Sequence, residues 1–262
     1  MQQILVCCMI HYERSRNMGY AIHMEEQVAL VTGAGQGIGA AIAKKLAEAG
    51  AQIVINDVCE ESVAKEVMEQ CATFGKRPHF IRCDISDENQ VKEMIAQIIE
   101  LYGRLDILVN NAGIVADWDK SYAVNTKAMY YCCEAAKPYL EKTKGRIVIL
   151  TSASVFSGGT GYPQYNVTKA GCYALTLFLA RNYAKSGIRV NGVAPAVIMS
   201  KMLVTRFGSE EAVREHYKNI MPMGRIGYPE DIANIVLFLS CELSDYMTGE
   251  VLIGDGGRMH IG

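Results

Sequence analysis

Tyr165 and Lys169 stand four positions apart, a spacing that puts a phenol and an ammonium on one face of a helix. Taken alone, such a pair reads equally well as two surface side chains. Its company changes the reading. Ser152 lies 13 residues upstream, at the end of the apolar run Arg146–Thr151, and Asn125 falls in the helical stretch before that run. An earlier run, Ile107–Asn110, closes in Asn110-Asn111-Ala112-Gly113. Free tyrosine ionises near ~10, too high for a base at neutral pH. A neighbouring ammonium favours the phenolate. Tyr165 is then suited to exchange a proton with a substrate hydroxyl or carbonyl oxygen, with Lys169 as its electrostatic support. Ser152 is suited to hydrogen-bond that oxygen as charge develops on it. The alternative for Ser152 is a plain serine at a strand end.

A second set of residues suits a dinucleotide. Val28–Thr32 runs into Gly33-Ala34-Gly35-Gln36-Gly37-Ile38-Gly39 and then a helical pattern. A glycine-rich turn between strand and helix lets the backbone approach a pyrophosphate at the helix N-terminus. The turn alone is weak evidence; its place at the head of a βαβ unit strengthens it. Asp57, 24 residues after Gly33, ends the next strand. A carboxylate there accepts hydrogen bonds from the ribose hydroxyls and repels a 2′-phosphate, unless it merely caps the following helix. Val58-Cys59-Glu60-Glu61 brings no cation beside it, and Gln36 is neutral, so the expected cofactor is NAD.

These residues need a scaffold that gathers strand ends. Short β-branched runs at Val28–Thr32, Gln52–Asn56, His79–Cys83, Ile107–Asn110, Arg146–Thr151, Arg189–Val193 and Val251–Ile253 alternate with helical patterns. The helices are predicted near Gly37–Ala49, Ser62–Phe74, Glu88–Tyr102, Asp119–Tyr139, Tyr165–Ser186 and Pro229–Leu239. Continuous apolar strands separated by helices signal a parallel sheet covered on both faces. The fold class is α/β: a doubly wound, seven-stranded, Rossmann-like single domain with ligands at the strand C-termini.

Composition narrows the function. The chain has 262 residues, is half hydrophobic, and carries a net charge of −2, which excludes a disordered chain and gives no basic footprint for nucleic acid. No apolar run reaches the ~20 residues of a membrane span. Nine cysteines without a C-x-x-C pair read as small hydrophobes in a reducing, cytoplasmic setting, and the five dispersed histidines give no metal-ligand spacing. Residues 1–23 lack periodicity and precede a second methionine, Met24; they read as a flexible extension or a non-native start, leaving 24–262 as the working domain.

With Thr32-Gly33, Gly37-Ile38-Gly39, Asp84-Ile85, Asn110-Asn111-Ala112-Gly113, Asn125, Ser152, Tyr165, Lys169, Pro195, Thr248-Gly249 and Asp255-Gly256-Gly257 in this order, the sequence resembles the single-domain short-chain dehydrogenase/reductases from Gln27 to Gly257. The resemblance implies hydride transfer to or from nicotinamide. It implies that Asn125 anchors a water between Lys169 and solvent, and that Lys169 also holds the nicotinamide ribose. Asp84 and Ile85 would touch adenine, Asn111, Ala112 and Gly113 would flank the cofactor, and Pro195, Ile198 and Ser200 would meet the carboxamide end. Gln36, Gly33, Gly37, Ile38 and Gly39 complete the cofactor set. Two departures are mild: Ala196 stands where glycine is usual and Ser200 where threonine is usual. The third is larger. Only 15 positions separate Asn110 from Asn125, fewer than that family ordinarily shows, so Ile114–Trp118 must enter a helix that begins late, near Asp119. A more open substrate cleft or an altered subunit contact is expected.

Substrate contacts are expected from Ser154, Val155, Phe156 and Tyr162, and from a methionine-rich 196–223 segment that reads either as an apolar lid or as core filler. The apolar circumference of 165–186, with family precedent, implies a homotetramer or a dimer. The leading expectation is an NAD-dependent alcohol dehydrogenase or carbonyl reductase acting on a polyol, sugar or hydroxysteroid. The alternative is a 3-oxoacyl-carrier-protein reductase, which ordinarily prefers NADPH and a basic docking patch, against which Asp57 and Gln36 speak. A non-catalytic cofactor-binding regulator is a second alternative, though such proteins tend to lose the tyrosine or lysine.

Overall fold

The computed structural model describes residues 22–159 and 161–261; the expectation for most of the N-terminal extension lies outside them. Seven strands, β1 (Val28–Thr32), β2 (Gln52–Asp57), β3 (His79–Arg82), β4 (Ile107–Asn110), β5 (Arg146–Leu150), β6 (Arg189–Pro195) and β7 (Val251–Gly254), form one sheet. Its order is β3-β2-β1-β4-β5-β6-β7, and every pairing is parallel. The chain reverses direction across the sheet between β1 and β4, which opens a crevice above their C-terminal ends.

The helices are α1 (Gly37–Glu48), α2 (Glu61–Ala72), α3 (Glu88–Tyr102), α4 (Trp118–Tyr122), α5 (Ala128–Thr143), α6 (Ser154–Ser157), α7 (Pro163–Tyr183), α8 (Lys201–Phe207), α9 (Glu210–Lys218) and α10 (Pro229–Ser240). Successive strand residues face opposite sides, so each strand feeds two cores. Leu30, Val54, Leu108 and Ile147 pack with Ile95, Ile98, Cys132 and Leu179 of α3, α5 and α7. Val31, Ile53, Val109 and Val148 pack with Ile42, Leu46, Met68 and Val236 of α1, α2 and α10. Met24 belongs to the second core, fully buried, with its amide donating to Ala49 O at 2.8 Å.

Between α4 and α5 the helix widens into a π turn, Ala123–Lys127. The long helix therefore begins at Trp118, capped by the Asp117 carboxylate accepting from Lys120 N at 2.9 Å, close to the expected late start. Helices α6, α8 and α9 were not expected from the sequence. The last two close over a small core of Met199, Leu203, Val213 and Ile226. The methionines divide accordingly: Met199 and Met221 are buried, Met202 and Met223 exposed. All seven cysteines among the described residues are free thiols; burial pushes those of Cys71 and Cys83 up to about 11 and that of Cys133 up to about 12. Among the described residues, no group of His, Cys, Asp and Glu is arranged to hold a metal, and no helix is long and apolar enough to cross a membrane.

Candidate active site

A cavity of about 810 Å³ opens above β1, β4 and β5, running from Asp57, Asp84 and Ile85 past the glycine turn to Ser152, Tyr165, Lys169 and Ser200. The turn is shaped for a close approach. Gly37 adopts φ +61°, and a side chain there would meet nothing within 4 Å, so this position faces the open cavity. At Gly39 a Cβ would sit 2.4 Å from Gly33 O and 2.5 Å from Asn111 Nδ2, so only glycine lets α1 start against the turn. No side chain caps the start of α1, and Gly37, Ile38 and Gly39 all border the cavity. That leaves a helix N-terminus directed at a space suited to a pyrophosphate.

Asp57 is oriented by three backbone donors: Gly35 N at 2.9 Å, Val58 N at 2.8 Å and Cys59 N at 3.3 Å. None belongs to α2, so the capping alternative does not describe it. A cation beside it is not visible in the sequence because strand pairing brings it in: Arg82 pairs with Asp57 across β2 and β3. Its Nε donates to Val58 O at 3.2 Å and its guanidinium is ion-paired with Glu60. Asn111 joins the turn to β4, its Nδ2 donating to Thr32 O at 2.9 Å and Gly33 O at 3.0 Å. Asp84 accepts from Ser86 Oγ at 2.7 Å, and Ile85 is buried beside it. Ala112, Gly113, Pro195, Ile198, Gln36 and Gly33 complete the border, so the structure gathers every expected cofactor residue around one cavity. The donor set fits a nicotinamide dinucleotide: a carboxylate at one end, a helix N-terminus midway, and a proton-transfer set at the other.

At that second end, Lys169 is buried and its Nζ donates to Leu150 O at 2.7 Å, 5.9 Å from the Tyr165 ring centre. A Cβ on Gly113 would lie 3.1 Å from Nζ, so glycine leaves room for the lysine. Ser152 Oγ accepts from Ser154 Oγ at 2.9 Å and Ser154 N at 3.2 Å. Asn125, within the π turn, does not border the cavity. Its Oδ1 accepts from Ile114 N at 2.7 Å, and its Nδ2 donates to Ile114 O at 2.9 Å and Thr168 Oγ1 at 3.0 Å. The Cys172 thiol donates to Asn125 O at 2.9 Å. Thr168 and Cys172 were missed by the sequence reading. They lie three and seven residues after Tyr165, a helical spacing that places them on a shared face toward Asn125.

The expected substrate residues stand differently. Ser154, Phe156 and Tyr162 do not border the cavity: Ser154 supports Ser152, Phe156 lies edge-on to Tyr173 at 5.6 Å, and Tyr162 is the exposed N-cap of α7. The wall is made instead by Ile114, Val115 and Ala116 on one side and Ala196 and Met199 on the other. The shortened segment is held rather than loose: Ser121 Oγ accepts from Ala116 N and donates to Ala116 O, both at 3.1 Å.

Comparison with known proteins agrees with this geometry. A family model described as enoyl-(acyl carrier protein) reductase matches residues 33–259. The chain is 38% identical over 248 residues to a 3-oxoacyl-acyl-carrier-protein reductase of Aquifex aeolicus, covering 90% of this chain and 98% of that protein. It is 37% identical over 249 residues to a hydroxy(phenyl)methylsuccinyl-CoA dehydrogenase subunit of Thauera aromatica, covering 90% and 97%. A short-chain type dehydrogenase/reductase of Mycobacterium marinum superposes with a TM-score of 0.82 at 29% identity, covering 91% of this chain and 98% of that one. With the tyrosine–lysine pair, the glycine turn and the parallel sheet in place, the chain belongs to the short-chain dehydrogenase/reductase family of oxidoreductases.

Proposed function

We propose that this oxidoreductase interconverts 3-oxoacyl and 3-hydroxyacyl thioesters with NAD(H). The substrate class rests on one observation: two relatives of nearly equal identity are named for reactions at a ketone or secondary alcohol of an acyl thioester, one on a carrier protein and one on coenzyme A. This replaces the polyol, sugar or hydroxysteroid expected first. It moves the carrier-protein alternative forward while leaving the carrier open.

The chain's own residues divide the work. When bound, the nicotinamide supplies or accepts the hydride. In the reducing direction Tyr165 gives its phenolic proton to the carbonyl oxygen, which becomes the hydroxyl. Ser152, its hydroxyl oriented by Ser154, holds the same oxygen as negative charge grows there. Lys169, fixed by Leu150 O, stabilises the phenolate that Tyr165 becomes. The NAD(H) reading is supported by Asp57, whose orientation by Gly35 N sets its charge at the ribose end, and by the neutral Gln36. Arg82, alongside on β3, is itself ion-paired with Glu60. Presence of both Tyr165 and Lys169 at the cavity speaks against a non-catalytic regulator. A homotetramer is proposed from the exposed apolar Val167, Leu177 and Phe178 of α7.

The test is turnover of purified chain with acetoacetyl thioesters of coenzyme A and of acyl carrier protein, against a ketose and a ketosteroid, with NADH and NADPH. Turnover of a thioester with NADH is expected. Preference for the ketose or ketosteroid would overturn the substrate class.

A further inference from the structure

The segment that leaves β4 holds its backbone by side chains from two directions. Asn125 and Ser121 bond Ile114 and Ala116 from the helix that the segment itself enters. Asn125 also donates to Thr168 Oγ1 at 3.0 Å, so those contacts tie the segment to α7 only indirectly, through that helix. A third contact is of another kind. Gln164 Nε2 donates to Ala116 O at 2.8 Å, across 48 residues of sequence. Gln164 sits on α7 immediately before Tyr165, and it does not border the cavity.

We propose that Gln164 is a positioning residue for substrate specificity: its hydrogen bond fixes the short 114–117 wall to the helix that carries the proton donor. A carbonyl oxygen has two lone pairs, and Ser121 already donates to Ala116 O. Removing the Gln164 donor therefore leaves no orphaned buried acceptor, and the domain keeps its fold. What disappears is the direct hydrogen bond between wall and donor helix at Ala116, while the indirect tie from Ile114 through Asn125 to Thr168 remains, so substrate fit suffers before chemistry does. Because Ile114, Val115 and Ala116 border the cavity and Gln164 does not, the effect reaches the substrate only through the wall. The inference rests on Tyr165 as proton donor and is independent of which thioester, if any, is the substrate.

The chain's single tryptophan provides a reporter at the right place. Trp118 is the first residue of α4, directly after the wall, and 54% exposed. Two full-length variants separate the hydrogen bond from packing: Gln164→Met keeps the length and loses the donor, and Gln164→Lys keeps a donor of similar reach. Gln164→Met is expected to raise KM for the carbonyl substrate about three- to tenfold, the range one net hydrogen bond supports, with kcat changed by less than about twofold. NADH affinity, read by titration, stays at the parent value. Acrylamide quenching of Trp118 increases in the same variant, and Gln164→Lys restores both readouts toward the parent. Unchanged quenching in Gln164→Met would overturn the proposal. So would a parallel loss of kcat and NADH affinity, which marks general damage to the site. If the parent turns over no carbonyl compound, the thioester reading fails by itself, and the quenching comparison still decides the role of Gln164.

Discussion

Asp57 shows how one side chain can serve structure and recognition together. Its carboxylate accepts from Gly35 N, Val58 N and Cys59 N, so the geometry that shapes the glycine turn also fixes a carboxylate at one end of the cavity, where the proposed function places the ribose. A charged hydrogen bond of this type is worth about 1.5–3 kcal/mol, or roughly 10- to 100-fold in affinity. Asp57→Ala is therefore expected to raise the Kd for NADH by about that factor and that for NADPH by much less, measured by fluorescence titration. Equal losses for both cofactors would remove Asp57 from discrimination. The sequence identifies Asp57, Tyr165, Lys169 and Ser152 because each sits at a fixed offset from a recognisable strand or helix. It does not reveal Arg82, because only the register Asp57↔Arg82 brings that cation alongside. Gln164 is equally hidden: its partner is a backbone carbonyl, which no residue type announces.

Elements were legible where burial imposes a pattern. The β1 and β4 bounds match the apolar runs residue for residue; β2, β6 and β7 run one or two residues longer, where pairing continues past the apolar run, and β3 and β5 stop one residue short. The π turn at Ala123–Lys127 left no mark in the composition; within it Asn125 and Thr126 bond to Thr168 of α7, contacts that only the tertiary fold brings together. Helices α8 and α9 were missed because they pack on a small core of their own instead of the sheet. The loop ahead of α10 carries a titratable clamp. Asp231 accepts from Arg225 at 2.7 and 2.8 Å and from Tyr228 N at 2.8 Å. The Arg225 hydrogen bonds hold its carboxyl below the ordinary carboxylate range, against the opposing effect of burial. A depressed folded-state value means the clamp stabilises fully above the unfolded value near ~4 and loses its effect as pH falls through the folded one. Asp231→Asn is expected to lower the melting temperature near neutral pH, with the gap to the parent shrinking in acid below ~4. A gap that stays constant through acid would remove the charge from the explanation.

At the scale of the molecule, the sheet order explains why residues spread from Gly33 to Ser200 meet in one place. Parallel strands deliver their C-terminal ends to one edge, and the crossover between β1 and β4 leaves that edge open for a ligand. Asp57 at the end of β2 and the Ser152, Tyr165 and Lys169 group beside β5 lie at opposite ends of the same cavity, with the glycine turn between them. The 114–116 segment lines the same cavity beside Tyr165 and Lys169. The substrate itself was not legible from the sequence: the expected contacts Ser154, Phe156 and Tyr162 are not among the residues that line the cavity, although Ser154 bonds to Ser152, which is. The most direct test of the whole account is NADH oxidation on addition of a 3-oxoacyl thioester, compared between the parent chain and Tyr165→Phe. The account predicts turnover by the parent and a loss of about 10²- to 10⁴-fold in kcat in the variant, with NADH binding preserved. Undiminished turnover by Tyr165→Phe would contradict it.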